Sequence, residues 1–477
     1  MIGTEERAHC GRRRQIVREA KVASAPGAQA MIPAPLWIRD PCAILAEGAA
    51  QGIAVDGGRI VETVPAGAEP ITPGCAVFDA GRHVVLPGLI NTHHHFYQAL
   101  TRATPAALDC ELFPWLTALY PIWAKLTPDL LDCAATVALA ELLLSGCTTT
   151  TDHHYVFPAG LEKAIDIEIA AAQRLGARVV LTRGSMNLSQ RDGGLPPDSV
   201  VQDEDTILAD NARLIDHYHQ PDAHAMAQVA LAPCSPFSVS TSLMRRTAEL
   251  AEARGVRLHT HLAETRDEAE FCQSVYGCSP LDYLEQCGWL HERTWLAHGV
   301  HFNGAEIARL AAAGTKVTHC PCSNQILASG HCPVCEMEEA GLTVGLGVDG
   351  SASNNASNLM QEVRGAFLLQ RGRYGVTQVT PRDALRWATT GSAACLGRPE
   401  LGKITPGAAA DLALFTLDEL RFAGALDPLA ALVLSGAHRA DRVMVAGRWV
   451  VEDGAIPNLD LAALIRRQNA AAAILHR

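Results

Sequence analysis

The chain has 477 residues, 48% of them hydrophobic, and its mean hydropathy of +0.08 is typical of a globular protein with a large core. The formal net charge is −12, so nucleic acid is not expected as a partner, because an acidic surface repels phosphate groups. The sequence has no apolar run of about 18 residues, so we expect no membrane span.

Residues 1–30 are basic and rich in alanine, and they lack the apolar segment of a secretory signal. Glu5, Glu6 and Glu19 argue against an organellar transit peptide. We interpret residues 1–30 as a disordered extension, with Met31 as an alternative start of translation. The 15 cysteines are odd in number and scattered through apolar stretches, which predicts reduced thiols and a cytoplasmic protein.

The next segment, residues 31–83, has short alternating runs separated by turn signals, as in GIAVDGGRIVETVPAG. Residues 395–477 show the same character, as in RVMVAGRWVVEDG. We predict that both segments build one small β-sandwich domain, to which the C-terminal residues add a tail. The chain would begin in the sandwich, leave it to build a second domain, and return to finish it.

Residues 84–394 predict that second domain, a (β/α)8 barrel of the TIM type. Strand-like apolar runs, from HVVLPGLINTHHH to LTVGLGVDG, alternate with helical stretches such as LLDCAATVALAELLLSG. Polar residues follow these strands and would share the C-terminal face, where barrels build active sites. They are His93, His95, His153, Arg183, His261, Glu264, His298, His319 and Asp349. The alternative, an open doubly wound sheet, gives no reason for this placement.

The stretch PGLINTHHH predicts a metal site at the first barrel strand. Side chains alternate along a strand, so His93 and His95 point the same way and His94 points away. His261, in HTHLAET, and Asp349, in GLGVDGSASN, complete a predicted shell of three imidazoles and one carboxylate with room for water. These ligands suit one divalent ion, with zinc as the first choice and iron(II) as the alternative.

A metal of this kind lowers the pKa of its water from about 15.7 toward 7, so other groups must move the proton. Glu264 follows His261 closely enough to sit beside the water, and we predict that it carries the proton. We predict that His298 hydrogen-bonds the attacking oxygen and that Asp349 also orients the water. Taken alone, a histidine at a strand end such as His298 would more often be structural, and Glu264 could be a charge at a helix N-terminus.

A cysteine-rich run, HCPCSNQILASGHCPVCE, competes for metal. Half of this run lies on a predicted strand and no separate small module surrounds it, so we favour buried or loop thiols over structural zinc. It also lacks the His-x-Glu of cytidine-type deaminases. The cysteines are Cys320, Cys322, Cys332 and Cys335.

These motifs resemble those of the amidohydrolase superfamily, in its aminohydrolase (deaminase) branch. The resemblance runs from about residue 36 to residue 470 and includes LPGLINTHHHFYQALTRA and LGVDGSASNNASN. It implies Glu264 as proton shuttle and His298 as a second catalytic group, with the metal ligands His93, His95, His261 and Asp349. One departure is Cys322, where related sequences usually have serine. The superfamily's two-metal members carry a bridging lysine or glutamate after the fourth strand, where this chain has LAPCSPF, which predicts one metal.

Longer stretches, such as LTRGSMNLSQRDGGLPPDSVVQDEDTILAD, are similar to the members of this branch that deaminate 8-oxoguanine. The resemblance implies hydrolysis of 8-oxoguanine to uric acid and ammonia. Deamination or dechlorination of guanine, a pterin such as isoxanthopterin, or a hydroxytriazine is the alternative. A non-enzymatic barrel scaffold is disfavoured, because no catalytic position is lost. The expected partner is thus a small heterocycle, and a homo-oligomer is left open.

Three further residues are predicted to contact this heterocycle. Gln98 lies three residues after His95, where its amide could read a purine edge. Arg183 ends a strand, and its guanidinium could pair with a ring carbonyl and nitrogen. Trp115, in LFPWL, could stack on a flat ring, with simple packing of its loop as the alternative.

Overall fold

The computed structural model describes residues 34–477, so the predicted extension of residues 1–30 lies outside the described part. The N-terminal part of the described chain builds short strands separated by tight turns. They are β1 (Leu36–Arg39), β2 (Ala43–Ile44), β3 (Gly52–Asp56), β4 (Arg59–Val64), β5 (Ala76–Asp79) and β6 (His83–Pro87).

Eight parallel strands follow and form the largest sheet, in which neighbours in sequence are neighbours in space. They are β7 (Leu89–Asn91), β8 (Cys147–His154), β9 (Arg178–Ser185), β10 (Ala227–Pro233), β11 (Leu258–Leu262), β12 (Thr294–His298), β13 (Lys316–His319) and β14 (Val344–Leu346). The sheet curls until its ends meet: Thr92 N donates to Leu346 O and Asp349 N donates to His93 O, each at 3.0 Å. The prediction of an α/β fold with a (β/α)8 barrel is confirmed.

Helices cover the outside of this sheet. Their boundaries follow local signals; α2, for example, begins after Thr127, whose side chain accepts from Leu130 N, and has Pro128 in its first turn. The helices are α1 (Leu112–Trp123), α2 (Pro128–Leu144), α3 (Ala164–Leu175), α4 (Glu204–Tyr218), α5 (Thr241–Arg254), α6 (Arg266–Tyr276), α7 (Pro280–Gln286), α8 (Gly304–Ala313), α9 (Pro321–Ile326), α10 (Val334–Glu339), α11 (Leu359–Tyr374), α12 (Pro381–Arg386), α13 (Ser392–Cys395), α14 (Pro428–Leu434) and α15 (Leu461–Leu475).

The C-terminal strands return to the N-terminal ones. Strands β15 (Leu412–Thr416), β16 (Arg442–Val445) and β17 (Arg448–Val451) join β6 and β2 in a five-stranded sheet, and β4, β3, β1 and β5 form a four-stranded sheet. Both sheets contribute to one apolar cluster, which includes Ile38, Ile53, Val85, Leu412 and Met444. This packing is consistent with a β-sandwich. We propose that residues 34–87 and 395–477 form that domain and that residues 88–394 form the barrel.

The run HVVLPGLINTHHH, predicted as one barrel strand, is divided in the structure. β6 pairs antiparallel with β15, whereas β7 pairs parallel with β8. The structure therefore places residues 84–87, which we had expected in the barrel, in the five-stranded sheet. The division falls at Gly88, where an added Cβ would lie 2.1 Å from Thr148 Oγ1. The missing side chain lets the backbone cross from one sheet to the other.

Within residues 34–477, the structure has no helix that combines the length and the apolar character needed to cross a bilayer.

Candidate active site

The four predicted metal ligands converge at the C-terminal end of the barrel. His93 Nε2 and His95 Nε2 lie 3.4 and 3.3 Å from Asp349 Oδ1. His261 Nε2 lies 3.2 Å from His95 Nε2. All four side chains are buried. His93, His95 and Asp349 form one group whose donor atoms lie close enough to hold a metal ion, and His261 forms a second such group with His93 and His153.

A hydrogen-bonded relay determines which nitrogen of His93 faces the centre of this group. His259 Nδ1 lies 2.8 Å from Trp295 O, and because a carbonyl only accepts, His259 Nδ1 must donate. Burial lowers the pKa of His259 well below its ordinary value, so its Nε2 carries a lone pair and accepts from His93 Nδ1 at 2.8 Å. His93 Nε2 is then unprotonated. It is buried without a protein partner, as a metal ligand would be.

Backbone carbonyls orient the other two imidazoles in the same way. His95 Nδ1 donates to His153 O at 2.7 Å, and His261 Nδ1 donates to Cys234 O at 2.6 Å. The ring of His153 also stacks on that of His261, with 4.7 Å between the centroids. Each predicted histidine ligand therefore presents Nε2 to the centre and is held at Nδ1.

The backbone turns sharply where the barrel strands deliver their functional residues. Ala263, His298 and Asp349 have φ values of 54°, 74° and 64°, which lie in the left-handed region. Side chains other than glycine rarely adopt this conformation, and such strain is often concentrated at functional sites. The turns bring Glu264, His298 and Asp349 to the same face of the barrel.

Glu264 and His298 face each other beside the metal group. Glu264 Oε2 lies 3.4 Å from His298 Nε2, and His298 Nδ1 donates to Asn324 Oδ1 at 2.9 Å. The backbone N–H of Glu264 donates to Glu268 Oε2 at 3.0 Å, which anchors the turn. Burial, assisted by the negative charge of Asp349, raises the pKa of Glu264 well above its ordinary value. A raised pKa lets the Glu264 carboxyl hold a proton at a higher pH than an exposed carboxyl does, as a group that carries protons must.

A cavity opens above these groups. Gln98 and Trp115, both predicted to contact substrate, lie in its wall. The remaining wall is mostly apolar and aromatic. It is formed by Leu112, Leu116, Tyr155, Cys234, Phe237, Leu327 and Ser353, together with His95, His261, Glu264, His298 and Asp349.

Arg183, the third predicted substrate contact, does not line this cavity. Its Nε donates to Asp210 at 3.1 Å, and its two terminal nitrogens donate to Gly184 O at 2.6 Å and to Gln202 Oε1 at 2.7 Å. The guanidinium also lies over the ring of Phe157, 4.0 Å from its centroid. Because every guanidinium nitrogen has a protein partner, we do not retain Arg183 as a substrate contact.

Some residues of the site were missed by sequence reasoning. His259 lies two residues before His261 in LHTHLAE, and strand alternation could have shown that both point to the same side. The carbonyl of Cys234 and the rings of Tyr155 and Phe237 gave no such signal, because their roles depend on contacts between distant segments.

The cysteine-rich run forms no metal group among the residues that the structure describes. Cys320 and Cys332 are buried, and Cys332 Sγ lies 3.9 Å from Met337 Sδ. This placement agrees with the interpretation of these thiols as packing groups.

Comparisons with known proteins agree with this geometry. The Amidohydrolase family profile matches residues 84–450. The chain is 60% identical to 8-oxoguanine deaminase of Pseudomonas aeruginosa, over 92% of this chain and 98% of that protein. It is 37% identical to isoxanthopterin deaminase from an unknown prokaryotic organism, over 90% of this chain and 94% of that protein. The crystal structure of atrazine chlorohydrolase from Arthrobacter aurescens complexed with zinc superposes with a TM-score of 0.86, at 34% identity, and covers 92% of this chain and all of that one, 100%.

Proposed function

Because the chain belongs to the amidohydrolase family, we propose that it is a metal-dependent deaminase that converts 8-oxoguanine and water to uric acid and ammonia. It is a hydrolase that acts on a carbon–nitrogen bond outside peptides. The observation that carries the choice of substrate is the 60% identity to 8-oxoguanine deaminase over nearly the full length of both chains. The buried Glu264 beside His298 and the metal group supports the hydrolytic chemistry.

We propose His93, His95, His261 and Asp349 as ligands of one divalent ion, with zinc as the first choice and iron(II) as the alternative. The unpartnered lone pair of His93 Nε2 and the mixed nitrogen and oxygen donors support this assignment. The fourth barrel strand leads into Cys234 rather than a bridging lysine or glutamate, which supports a single ion. When bound, such an ion supplies an acidified water for attack on an electron-poor ring carbon.

The chain's own residues would move the protons of this reaction. Both protons come from the attacking water: one goes to the ring nitrogen beside carbon 2 and the other to the departing amine. Glu264 is placed to carry each in turn. His298, through Nε2, would hydrogen-bond the attacking oxygen, and Asp349 would orient it. Carbon 2 then keeps the water oxygen as a carbonyl, and ammonia leaves.

Ammonia release from a panel of heterocycles tests the substrate. We expect the highest kcat/KM for 8-oxoguanine, compared under identical metal loading with guanine, isoxanthopterin and a hydroxytriazine. A kcat/KM at least tenfold higher for guanine or isoxanthopterin would overturn the choice of substrate and leave the deaminase intact. Activity on the triazine alone would favour the second candidate, which the structural similarity to atrazine chlorohydrolase supports.

Metal analysis of the Glu264→Gln variant tests the assigned roles. We expect turnover to fall by about 10²-fold or more, because the proton carrier is lost, while one ion per chain stays bound. The parent protein is the control for metal content. A variant that keeps more than a tenth of the parent rate would contradict the role of Glu264.

The metal content of the parent protein also tests the number of ions. Two ions per chain, both needed for activity, would contradict the single site. His153 would then be a candidate ligand, because it groups with His93 and His261.

We further propose that the protein works in the cytoplasm on this small heterocycle, without a nucleic-acid or membrane partner. The cysteines of residues 34–477 are all free, which supports a reducing compartment. The net charge of −12 supports the absence of a nucleic-acid partner.

A further inference from the structure

We propose that the indole N–H of Trp115 donates a hydrogen bond to the C8 carbonyl of 8-oxoguanine and so selects this substrate over guanine. The side-chain amide of Gln98 would donate to the C6 carbonyl, which both purines share. This inference rests on the proposed function and deepens it. It replaces the expectation that Trp115 acts by stacking.

Trp115 differs from the other buried tryptophans of residues 34–477. Its Nε1 is buried and has no protein acceptor, although the side chain is only 4% exposed and lines the cavity. Each of the other buried indoles donates to a protein group. The pairs are Trp37 with Gln51 O, Trp123 with Thr101 Oγ1, Trp289 with Met244 O, Trp295 with Thr92 O and Trp387 with Glu338 Oε1.

An indole N–H that is buried in this way needs an acceptor, because leaving it unpaired costs free energy. No residue that lines the cavity accepts from this N–H, and several of them are apolar: Leu112 and Leu116, from the same helix α1, and Phe237 and Leu327. A ligand that packs against this wall would meet a single donor. The matching ligand group is an acceptor, such as a carbonyl oxygen.

Gln98 supplies the second unsatisfied donor of the cavity. Its Oε1 accepts from Ala352 N at 3.4 Å, which leaves Nε2 buried without a protein partner. Gly350 makes room for this amide, because a Cβ at position 350 would lie 1.9 Å from Gln98 Oε1. Gly350 directly follows Asp349, so the Gln98 amide lies close to the metal group.

The two donors match the two carbonyls that 8-oxoguanine carries besides the reacting carbon. With carbon 2 at the metal, the C6 carbonyl lies nearby and C8 lies at the far end of the bicyclic ring. Because Gln98 lies close to the metal group, we assign its amide to the C6 carbonyl, and we assign the remaining donor, the Trp115 N–H, to the C8 carbonyl. Guanine has a C–H at C8 and would leave the Trp115 N–H without a partner. A site built for a hydrogen bond discriminates strongly against a substrate that cannot make it.

The test is the ratio of kcat/KM for 8-oxoguanine to kcat/KM for guanine in the metal-loaded enzyme. We expect Trp115→Phe to lower this ratio by about tenfold or more, because phenylalanine keeps an aromatic ring at this position but has no N–H. Trp115→His, which keeps a ring N–H, should retain more of the ratio. Gln98→Met should lower both values by similar factors and leave the ratio unchanged.

Trp123→Phe is the matched control, because Trp123 lies on the same helix and its N–H is used within the protein, at 3.2 Å from Thr101 Oγ1. Its ratio should equal that of the parent. An unchanged ratio in Trp115→Phe would overturn the inference. A merely structural role for Trp115 would lower both values together and would overturn it equally.

The affinities of urate and xanthine, measured by calorimetry, test this inference independently of the proposed function, because binding requires no turnover. The two ligands differ at C8 as the two substrates do, so the parent should bind urate more tightly and Trp115→Phe should lose that preference. A parent that releases no ammonia from either purine would refute the proposed function, while the binding preference would still decide the role of Trp115. A parent without the preference would overturn the inference.

Discussion

Each imidazole of the candidate metal group has its outer nitrogen bound to a fixed partner. For His95 and His261 the partner is a backbone carbonyl, and for His93 it is His259, which is itself held by Trp295 O. These contacts orient the rings before any ligand is added. His94 is different: its Nδ1 accepts from His95 N at 2.7 Å, and its ring lies against Phe96.

We expect His93→Ala to weaken metal binding by about tenfold or more, because one of four proposed ligands is removed. His94→Ala, the neighbouring control, should keep its metal and lose some thermal stability, because the buried N–H of His95 loses its acceptor. Competition with a chelator measures the affinity. If His94→Ala lost the metal and His93→Ala kept it, the assigned register of this strand end would be wrong by one residue.

A second buried polar cluster lies on the other side of β8. Glu168 Oε1 is 2.9 Å from His154 Nδ1, and His154 Nε2 donates to Val156 O at 2.8 Å. Burial raises the pKa of Glu168 to about 8 and lowers that of His154 to about 4. A protonated Glu168 that donates to a neutral His154 accounts for these contacts.

This cluster predicts a pH dependence of stability. The pKa of Glu168 rises from 4.5 to about 8 on folding, so its stabilising contribution is complete below pH 4.5 and is lost as the pH rises toward 8. Glu168→Gln cannot ionise, so its melting temperature should fall less than that of the parent between pH 5 and pH 8. Differential scanning calorimetry at pH 5 and at pH 8 measures the melting temperatures of variant and parent. If the melting temperatures of variant and parent fell by the same amount between pH 5 and pH 8, the raised pKa of Glu168 would be contradicted.

At the level of elements, the junction between β6 and β7 joins the sandwich-like sheets to the barrel. Gly88 lies between the two strands, and its N–H donates to Asp411 O at 2.8 Å. Thr148 of β8 fills the space beside it, so a Cβ at position 88 would meet three atoms of that side chain at 2.1–2.8 Å. Thr148 is β-branched and buried, and it has little freedom to move away.

Gly88→Ala should therefore destabilise the protein by about 1–3 kcal/mol or more through overpacking. The double variant with Thr148→Ala should recover part of the loss, because two of the three clashing atoms are removed. Gly372→Ala is the control: it lies on α11 with no atom within 4 Å of an added Cβ, and should be neutral or slightly stabilising. Urea unfolding measures the free energy of unfolding of the two single variants and of the double variant. A Gly88→Ala variant as stable as the parent would show that the junction tolerates a side chain.

Across the whole molecule, one buried ion pair links the barrel to the five-stranded sheet. Arg178, the first residue of β9, donates through Nε and a terminal nitrogen to both oxygens of Asp411, at 2.8 and 2.9 Å. Asp411 precedes β15 and also accepts from Ala446 N at 2.7 Å. The side chains of Arg178 and Asp411 are 0% and 3% exposed, so water screens their interaction very little.

Arg178→Leu should lower the free energy of unfolding by about 3–5 kcal/mol, because it leaves the Asp411 carboxylate buried without a counter-charge. Arg254→Leu is the control: it removes the exposed pair between Arg254 and Asp216 and should cost less than about 1 kcal/mol. Chemical denaturation measures the free energy of unfolding of both variants and of the parent. Equal losses in the two variants would contradict the view that the buried pair joins the two parts of the chain.

Local periodicity in the sequence was enough to predict the main architecture of this protein. Alternating apolar runs and helical stretches predicted the eight-stranded barrel, because strand and helix periods are properties of neighbouring residues. The same alternation put His93 and His95 on one side of a strand, and the structure places both beside Asp349. The roles of these residues remain predictions until they are tested.

Which polar side chains lack a hydrogen-bond partner depends on contacts between segments that are distant in the chain. Arg183 ended a strand as predicted, yet Asp210 and Gln202 occupy its guanidinium. Trp115 looked like a stacking residue, and its unpartnered N–H became visible only when the surrounding wall was known. The physical reason is that a hydrogen-bond partner comes from whatever segment packs nearby. His93 and His259, for example, are 166 residues apart in the chain, and no local pattern encodes their contact.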